Sequence, residues 1–273
     1  MKNSLKNLFA YVLLSVFAIA FAYPFVWMIS GTLKSDFEVM SLNIIPSYIT
    51  LNNYLLVFQR VPVMRALLNS TIVSISVTSS VVIFGGIVGY SLSKIKWSGS
   101  KYLTGFIVFT MLIPFQLTLI PTYLVIVKLG LTDNLLGLIM PNALTAVSII
   151  MFRQFFLSIP DSLLEAARID GCSELGIIFR IVFPLSRPAM ITVAILTFLT
   201  SWNDVLWPLI VIRERYLMTL PQLVTVFVLG GEAETHLGAE FAASTILALP
   251  IILLYAFFQK YLIQSFITSG IKA

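Results

Sequence analysis

Between Pro160 and Pro188 the chain reads PDSLLEAARIDGCSELGIIFRIVFPLSRP, a stretch at odds with its surroundings. It carries four acids (Asp161, Glu165, Asp170, Glu174) and three arginines (Arg168, Arg180, Arg187). The whole 273-residue chain is 59% hydrophobic and only 11% charged. A soluble globular domain is roughly a quarter charged. A chain this apolar cannot bury its surface in one water-soluble core, so an all-α, multi-span membrane protein is expected. The polar stretch is then a segment kept out of the bilayer.

Runs of about 20 apolar residues mark helical spans, because lipid offers no partner to free backbone groups. Six are expected, near Leu8–Ser30, Asn69–Leu92, Tyr102–Val127, Leu135–Phe152, Ala189–Ile212 and Phe241–Ile263. Pro141 and Asn142 interrupt the fourth. The first continues through Pro24 to Ile29, too long for a signal-peptide core, and reads as an uncleaved anchor. With the N-terminus inside, eleven of the 17 basic residues fall on inner segments. That bias places both termini in the cytoplasm of a plasma or inner-membrane protein, and the polar stretch with them.

Two outer loops follow, about Gly31–Leu68 and Arg213–Glu240. The second carries GGEAETHLGAE, whose His236, the single histidine, reads as a solvated loop residue. One membrane domain over 1–273 is expected: a first span and outer loop at 1–68, a five-span core at 69–263 holding the polar loop 153–188, and a tail at 264–273. The net charge of +5 fits the basic inner loops, and no nucleic-acid partner is expected.

Within the polar stretch, Pro160 can open a helix, with Ser158 before it as a cap. Leu163, Leu164 and Ala167 fall on one side of that helix, and Gly171 supplies a stop. Ser173 can cap a second short helix, ELGIIFRIVF, ended by Pro184. The residues leave two readings open. An amphipathic helix can dock in a groove on a partner protein or lie on the lipid surface. The mixture of acids and arginines suits a protein partner.

EAARIDGCSELGIIFRIVFPLSRP resembles the EAA loop of the integral membrane subunits of binding-protein-dependent ABC importers. Glu165, Ala166, Ala167, Asp170, Gly171, Ile181 and Pro184 stand where that pattern needs them, and Cys172 replaces its usual Ala. LIPFQLTLIPTYLVIVKLGLTDNLLGLIMP, SWNDVLWPL and the last span with its tail look like the carbohydrate-uptake, maltose-type permeases. The six spans and short N-terminus resemble the smaller of their two permeases. The tail departs from the family, with Ser265 in place of its first glycine.

The resemblance implies a type I importer permease fold with cytoplasmic coupling helices between spans 4 and 5. It implies a second permease as heterodimer partner, an ATPase dimer docked on the EAA loop, and an extracytoplasmic sugar-binding protein. Gly230, Gly231, Glu232 and Glu234 align with a segment that reaches into the binding protein in maltose-type relatives.

For the substrate path, Asp204 is the only acid inside an expected span, where a charge costs about 2.5–3.5 kcal/mol on insertion scales. Beside it in SWNDVLWPL are Trp202, Asn203 and Trp207, residue types that stack on sugar faces and bond hydroxyls. The same residues also serve as packing and interface groups. Gln116, between Pro114 and Pro121, and Asn142, after Pro141, are further candidates.

The sequence contains no G-x-x-x-x-G-K-[ST], H-E-x-x-H or G-x-S-x-G. No catalytic group and no bound cofactor are expected, with ATP and Mg on the partner ATPase. One Cys and one His leave no basis for a metal cluster. Two alternatives stand beside a sugar importer. A glycerol-3-phosphate permease shares the motifs, but a phosphate favours Arg or Lys in the cavity. An ion-coupled secondary transporter would carry charged coupling residues in its spans, and only Asp204 qualifies.

Overall fold

Lipid leaves a backbone no partner but itself, and the chain is accordingly helical. The structure is a computed structural model that describes residues 2–41, 43–231 and 236–270; among these there is no strand. The elements run α1 (Lys2–Thr32), α2 (Asp36–Val39), α3 (Asn52–Arg60), α4 (Val63–Lys94), α5 (Ser100–Thr110), α6 (Phe115–Lys128), α7 (Leu135–Ile139) and α8 (Ala146–Leu157). They continue as α9 (Asp161–Ile169), α10 (Glu174–Ile177), α11 (Phe183–Leu185), α12 (Arg187–Trp202), α13 (Leu206–Val211), α14 (Leu220–Leu229) and α15 (Leu237–Gly270). Among the described residues three helices are long and apolar enough to cross a membrane, and up to six spans result if each bent helix pair is one.

The bends sit where proline or polar residues remove helical hydrogen bonds. The third expected span is two helices, α5 and α6, meeting at 100°. Pro114 has extended dihedrals at the start of α6 and pushes its predecessor out of the helical region. The fourth bends by 43° between Asn142 and Ala146, just after the 3-10 turn Met140–Asn142. The fifth breaks at Asn203–Val205, between α12 and α13. Pro208 has no N–H to give the carbonyl of Asp204, so the helix cannot run through.

The chain packs as two units. One comprises Met1–Val63 with Leu223–Ile252. In it, the expected outer loop after the first span holds α2 and α3. Asn53 of α3 is buried and donates to the carbonyls of Thr32 (2.9 Å) and Lys34 (2.8 Å), closing the end of α1. Lys34 is fully buried and gives its ammonium to the Asn43 carbonyl. Gly31 lies under the Phe241 ring, which meets Trp27 edge-on at 5.1 Å.

The other unit comprises Met64–Gln222 with Leu253–Ala273. Its core joins Val73, Val77, Val81 and Tyr90 of α4 to Phe152 and Phe156 of α8, Leu164 of α9, and Trp207 of α13. The α4–α8 approach uses the Gly85/Gly89 pair: a Cβ at Gly85 would stand 2.9 Å from Ser148 Oγ, and one at Gly89 2.7 Å from Phe152 Cβ. This is the close packing of small residues that membrane helices exploit.

The stretch Arg213–Glu240 is not the plain loop expected from sequence. It contains α14, whose Leu220, Gln222, Leu223 and Phe227 are buried. Ten residues are too few to register as a span. Asn69 and Ser70 sit inside α4 and bind the segment leading into α14. Asn69 donates to Tyr216 and Met218 carbonyls (2.9 and 3.0 Å), and Ser70 Oγ accepts from Leu220 N (2.7 Å).

Candidate functional site

The polar stretch folds as two short helices around a tight turn. In α9, Leu164 and Ala167 are buried three residues apart on one face, while Glu165, Ala166 and Ile169 are exposed on the other. Asp170 closes the helix and Gly171 follows with φ +83°. Gly171 N donates to Arg168 O and Cys172 N to Ala167 O, both at 3.0 Å, the paired closure that a left-handed glycine permits. Ser173 Oγ then accepts from Gly176 N (3.2 Å) and caps α10, as expected from sequence.

Two details differ from the sequence reading. Ser158 closes α8, donating to Phe155 O (2.7 Å), and does not cap α9; α9 opens at Asp161 with Pro160 before it. Pro184 does not end the second helix. A π-helical turn at Ile178–Val182, with Phe183 N bonded to Ile178 O, carries the chain past the proline into α11, and the 86° bend into α12 follows. Asp170 lies at the C-terminus of α9, where a negative charge opposes the helix dipole.

Along this insert Ile181 is half-buried against the core and Pro184 is exposed. Leu163, Ile169, Leu175 and Phe179 leave large apolar side chains outside, with Ile169 86% exposed. They are interleaved with Glu165, Asp170 and Arg180.

Two α4 residues absent from the sequence reading hold the insert. Lys94 Nζ binds Ile159 O (2.5 Å) and Asp161 Oδ1 (2.7 Å). Its ammonium holds the Asp161 carboxyl below the usual carboxylate range. Tyr90, fully buried, donates its hydroxyl to Glu174 Oε2 (2.7 Å), and Arg168 Nε donates to Glu174 Oε1 (2.7 Å). The Arg168 guanidinium, then the Tyr90 hydroxyl, lower the Glu174 pKa. No sequence spacing announces the two α4 contacts, because Tyr90 and Glu174, like Lys94 and Asp161, lie more than 60 positions apart.

The substrate-path candidates do not gather in one place. Asp204 lines a recess of about 220 Å³ with Asn142, Thr145, Ser148, Thr197, Thr200 and Ser201 among its walls, and among the described residues no Lys, Arg or His lines it. Asp204 Oδ1 accepts from Trp207 N (3.3 Å) at the start of α13. Asn142 lines this recess and a neighbouring one, where it stands with Phe115 and Trp207.

Trp207 is buried, donates its indole N–H to Gly137 O (3.1 Å) and meets Phe115 edge-on. Trp202 is buried and stacked on Phe198 at 5.5 Å, and it lines neither recess. Asn203 is exposed and donates to Leu199 O (2.8 Å), closing α12. Gln116 is exposed on α6 and lines neither recess. The hydroxyl residues of α8 and α12 beside Asp204 were missed because isolated Ser and Thr in an apolar run carry no distinctive signal.

In the other unit, Gly230 ends α14 and Gly231 adopts φ +79°. Glu232 and Glu234 lie outside the described residues. His236 is not simply solvated: Nδ1 lies 2.7 Å from Asp36 Oδ2, at the start of α2. The partners are 200 positions apart, which hides the pair from any local reading. Among the described residues no cluster of His, Cys, Asp and Glu could hold a metal ion.

Comparison with known proteins agrees with this architecture. AraQ of Halalkalibacterium halodurans, an arabinooligosaccharides transport system permease protein, is 32% identical over 100% of both chains. UgpE of Pectobacterium atrosepticum, an sn-glycerol-3-phosphate transport system permease protein, is 27% identical over 96% of both. The crystal structure of a bacterial ABC transporter involved in the import of the acidic polysaccharide alginate contains a chain 26% identical, with a TM-score of 0.83 over 96% of this chain and 98% of that one. Residues 81–268 match the family described as binding-protein-dependent transport system inner membrane component. With its apolar helices, its insert after α8 and a match across most of its length, the chain belongs to that family of ABC importer permeases.

Proposed function

We propose that this chain is one of two permeases in an ATP-driven importer that takes up a sugar or oligosaccharide handed over by an extracytoplasmic binding protein. Both termini and the α9–α11 insert face the cytoplasm. The insert docks on a partner ATPase dimer, which holds ATP and Mg, and this chain contributes no catalytic group. Closure of the dimer moves the insert and rocks the spans between inward- and outward-open states. Glu165, Ala166, Ala167, Asp170, Gly171, Ile181 and Pro184 build that contact: some face the partner, and Ala167, Ile181 and Gly171 shape the helices that do.

The observation that carries the docking reading is the insert's outer face. Ile169, Leu175 and Phe179 leave apolar area exposed beside Glu165 and Asp170, on short helices whose other face is locked into the core. A helix that merely lay on lipid would favour a Lys/Arg-rich polar face. On the substrate side, Asp204 and Asn142 mark this chain's share of the path, with the wall hydroxyls as partners for saccharide hydroxyls. The absence of a cation from that recess favours a saccharide over glycerol-3-phosphate. Gly230 and Gly231 shape the segment that meets the binding protein.

The test is purification of the tagged chain from native membranes in mild detergent. Recovery of a second permease and an ATPase pair, with hydrolysis that rises on adding sugar-loaded binding protein, is expected. Recovery of the chain alone without ATPase activity would overturn the reading.

A further inference from the structure

Gly86, Tyr90 and Lys94 are spaced by four along α4 and therefore form one stripe on its surface. Each touches a different part of the insert. Gly86 lies beneath the Phe183 ring of α11, where a Cβ would stand 2.7 Å from the ring edge. The Tyr90 hydroxyl donates to Glu174 and accepts from Arg168 Nη2 (3.3 Å), two residues on opposite sides of the Gly171 turn. Lys94 holds Ile159 O and Asp161, where α9 begins.

We propose that this stripe welds the insert to α4, with Tyr90 and Lys94 as positioning residues, so that insert and helix turn as one rigid body. The inference rests on the docking reading for its purpose. A single contact would leave the insert free to pivot. Three contacts at its beginning, middle and end remove that freedom, because any rotation against α4 must break a part-buried hydroxyl–carboxylate bond and an ion pair together. Both carboxylate oxygens of Glu174 are used, one by Tyr90 and one by Arg168 Nε. The turn of the insert is thus closed on itself and on α4 at the same point. A push on the insert is delivered to α4 without slack.

The experiment is a pulsed spin-label distance measurement on the purified complex. Labels go on Phe84→Cys, exposed on α4, and Leu175→Cys, exposed on α10, with the single native cysteine removed as Cys172→Ala. The expected result is one narrow distance, unchanged between the nucleotide-free and the ATP–vanadate-trapped complex. Tyr90→Phe, which keeps the ring and loses the hydroxyl, is expected to broaden the distribution while the ATPase still co-purifies. Exchanging the charges, Arg168→Glu with Glu174→Arg, is expected to restore the narrow distance that Arg168→Glu alone loses. A wild-type distance that shifts on trapping, or a Tyr90→Phe distribution indistinguishable from wild type, would overturn the proposal. Loss of the ATPase from the wild-type complex would instead overturn the docking reading, and the wild-type and Tyr90→Phe distances in the chain alone would still decide the weld.

Discussion

Gly89 of α4 lies against Phe152 of α8 with space for a hydrogen and nothing larger. A Cβ there would also meet the backbone of Arg153 at 3.0 Å and Ile149 at 3.2 Å. Backbone cannot step aside as a flexible side chain can. Gly89→Ala is therefore expected to lower stability by about 1–3 kcal/mol, the range for overpacking. Gly105→Ala, where a Cβ meets nothing within 4 Å, is expected to gain about 0.5–1 kcal/mol from reduced backbone freedom. Melting temperatures in one detergent, compared side by side, check the opposite signs.

Gly171 is a different kind of glycine. Nothing stands within 4 Å of its added Cβ, so the constraint is the backbone at φ +83°, not space. Gly171→Val is expected to cost at least about 1–2 kcal/mol locally and to reshape the turn between α9 and α10. Gly171→Asn, which tolerates the left-handed region, is expected to retain most function. Binding-protein-stimulated ATP hydrolysis reads this directly; full stimulation in Gly171→Val would show that the turn does not matter for coupling.

Asp133, itself at φ +50°, ties two loops by accepting from Glu214 N (2.8 Å) and Arg213 N (2.6 Å). Those amides, Glu214 first, hold its carboxyl below the usual aspartate range. A depressed folded-state pKa means the stabilisation is complete above the unfolded value of about 3.9 and is lost as pH falls through the folded one. Wild-type protein is expected to lose this contribution below about pH 4, and Asp133→Asn to show a flatter melting profile there. Equal slopes for the two proteins would remove Asp133 from the acid response.

Asp204 and Asn203 are adjacent and are expected to separate in function. Asp204 faces the hydroxyl-lined recess, whereas Asn203 only closes α12. Asp204→Ala is expected to reduce sugar uptake by about tenfold or more, the size of a lost hydrogen bond to a charged group, with complex assembly unchanged. Asn203→Ala and Gln116→Ala are expected to leave uptake near wild type. Uptake by proteoliposomes loaded with the intact complex distinguishes them.

Helical content, the positions of the apolar runs and the polar insert were all legible from residue type, because hydropathy and the Gly171 and Ser173 turn chemistry are local properties. The insert's fastening was not. Tyr90 reads as one more aromatic in an apolar run, and its partner Glu174 stands 84 positions away. The breaks at Pro114 and Asn203–Val205 were partly legible, since proline forbids a straight helix but does not say by how much it bends. Trp202 and Trp207 fit both sugar stacking and packing. Burial separates the two roles, and burial is a property of the fold that no local pattern encodes.

The break in the fifth span bears on how the protein is made. At 1.5 Å per residue the 16 residues of α12 reach about 24 Å, short of a hydrocarbon core of about 30 Å. The apolar run resumes in α13 after three non-helical residues that include an acid. A nascent segment of this kind lacks the continuous apolar length that partitions into lipid unaided. In the folded chain Gly137 and Phe115 receive Trp207, so stable insertion of this segment is expected to depend on theirs. Damage to the α6–α7 region is therefore expected to show as poor membrane insertion of this segment as well as in transport.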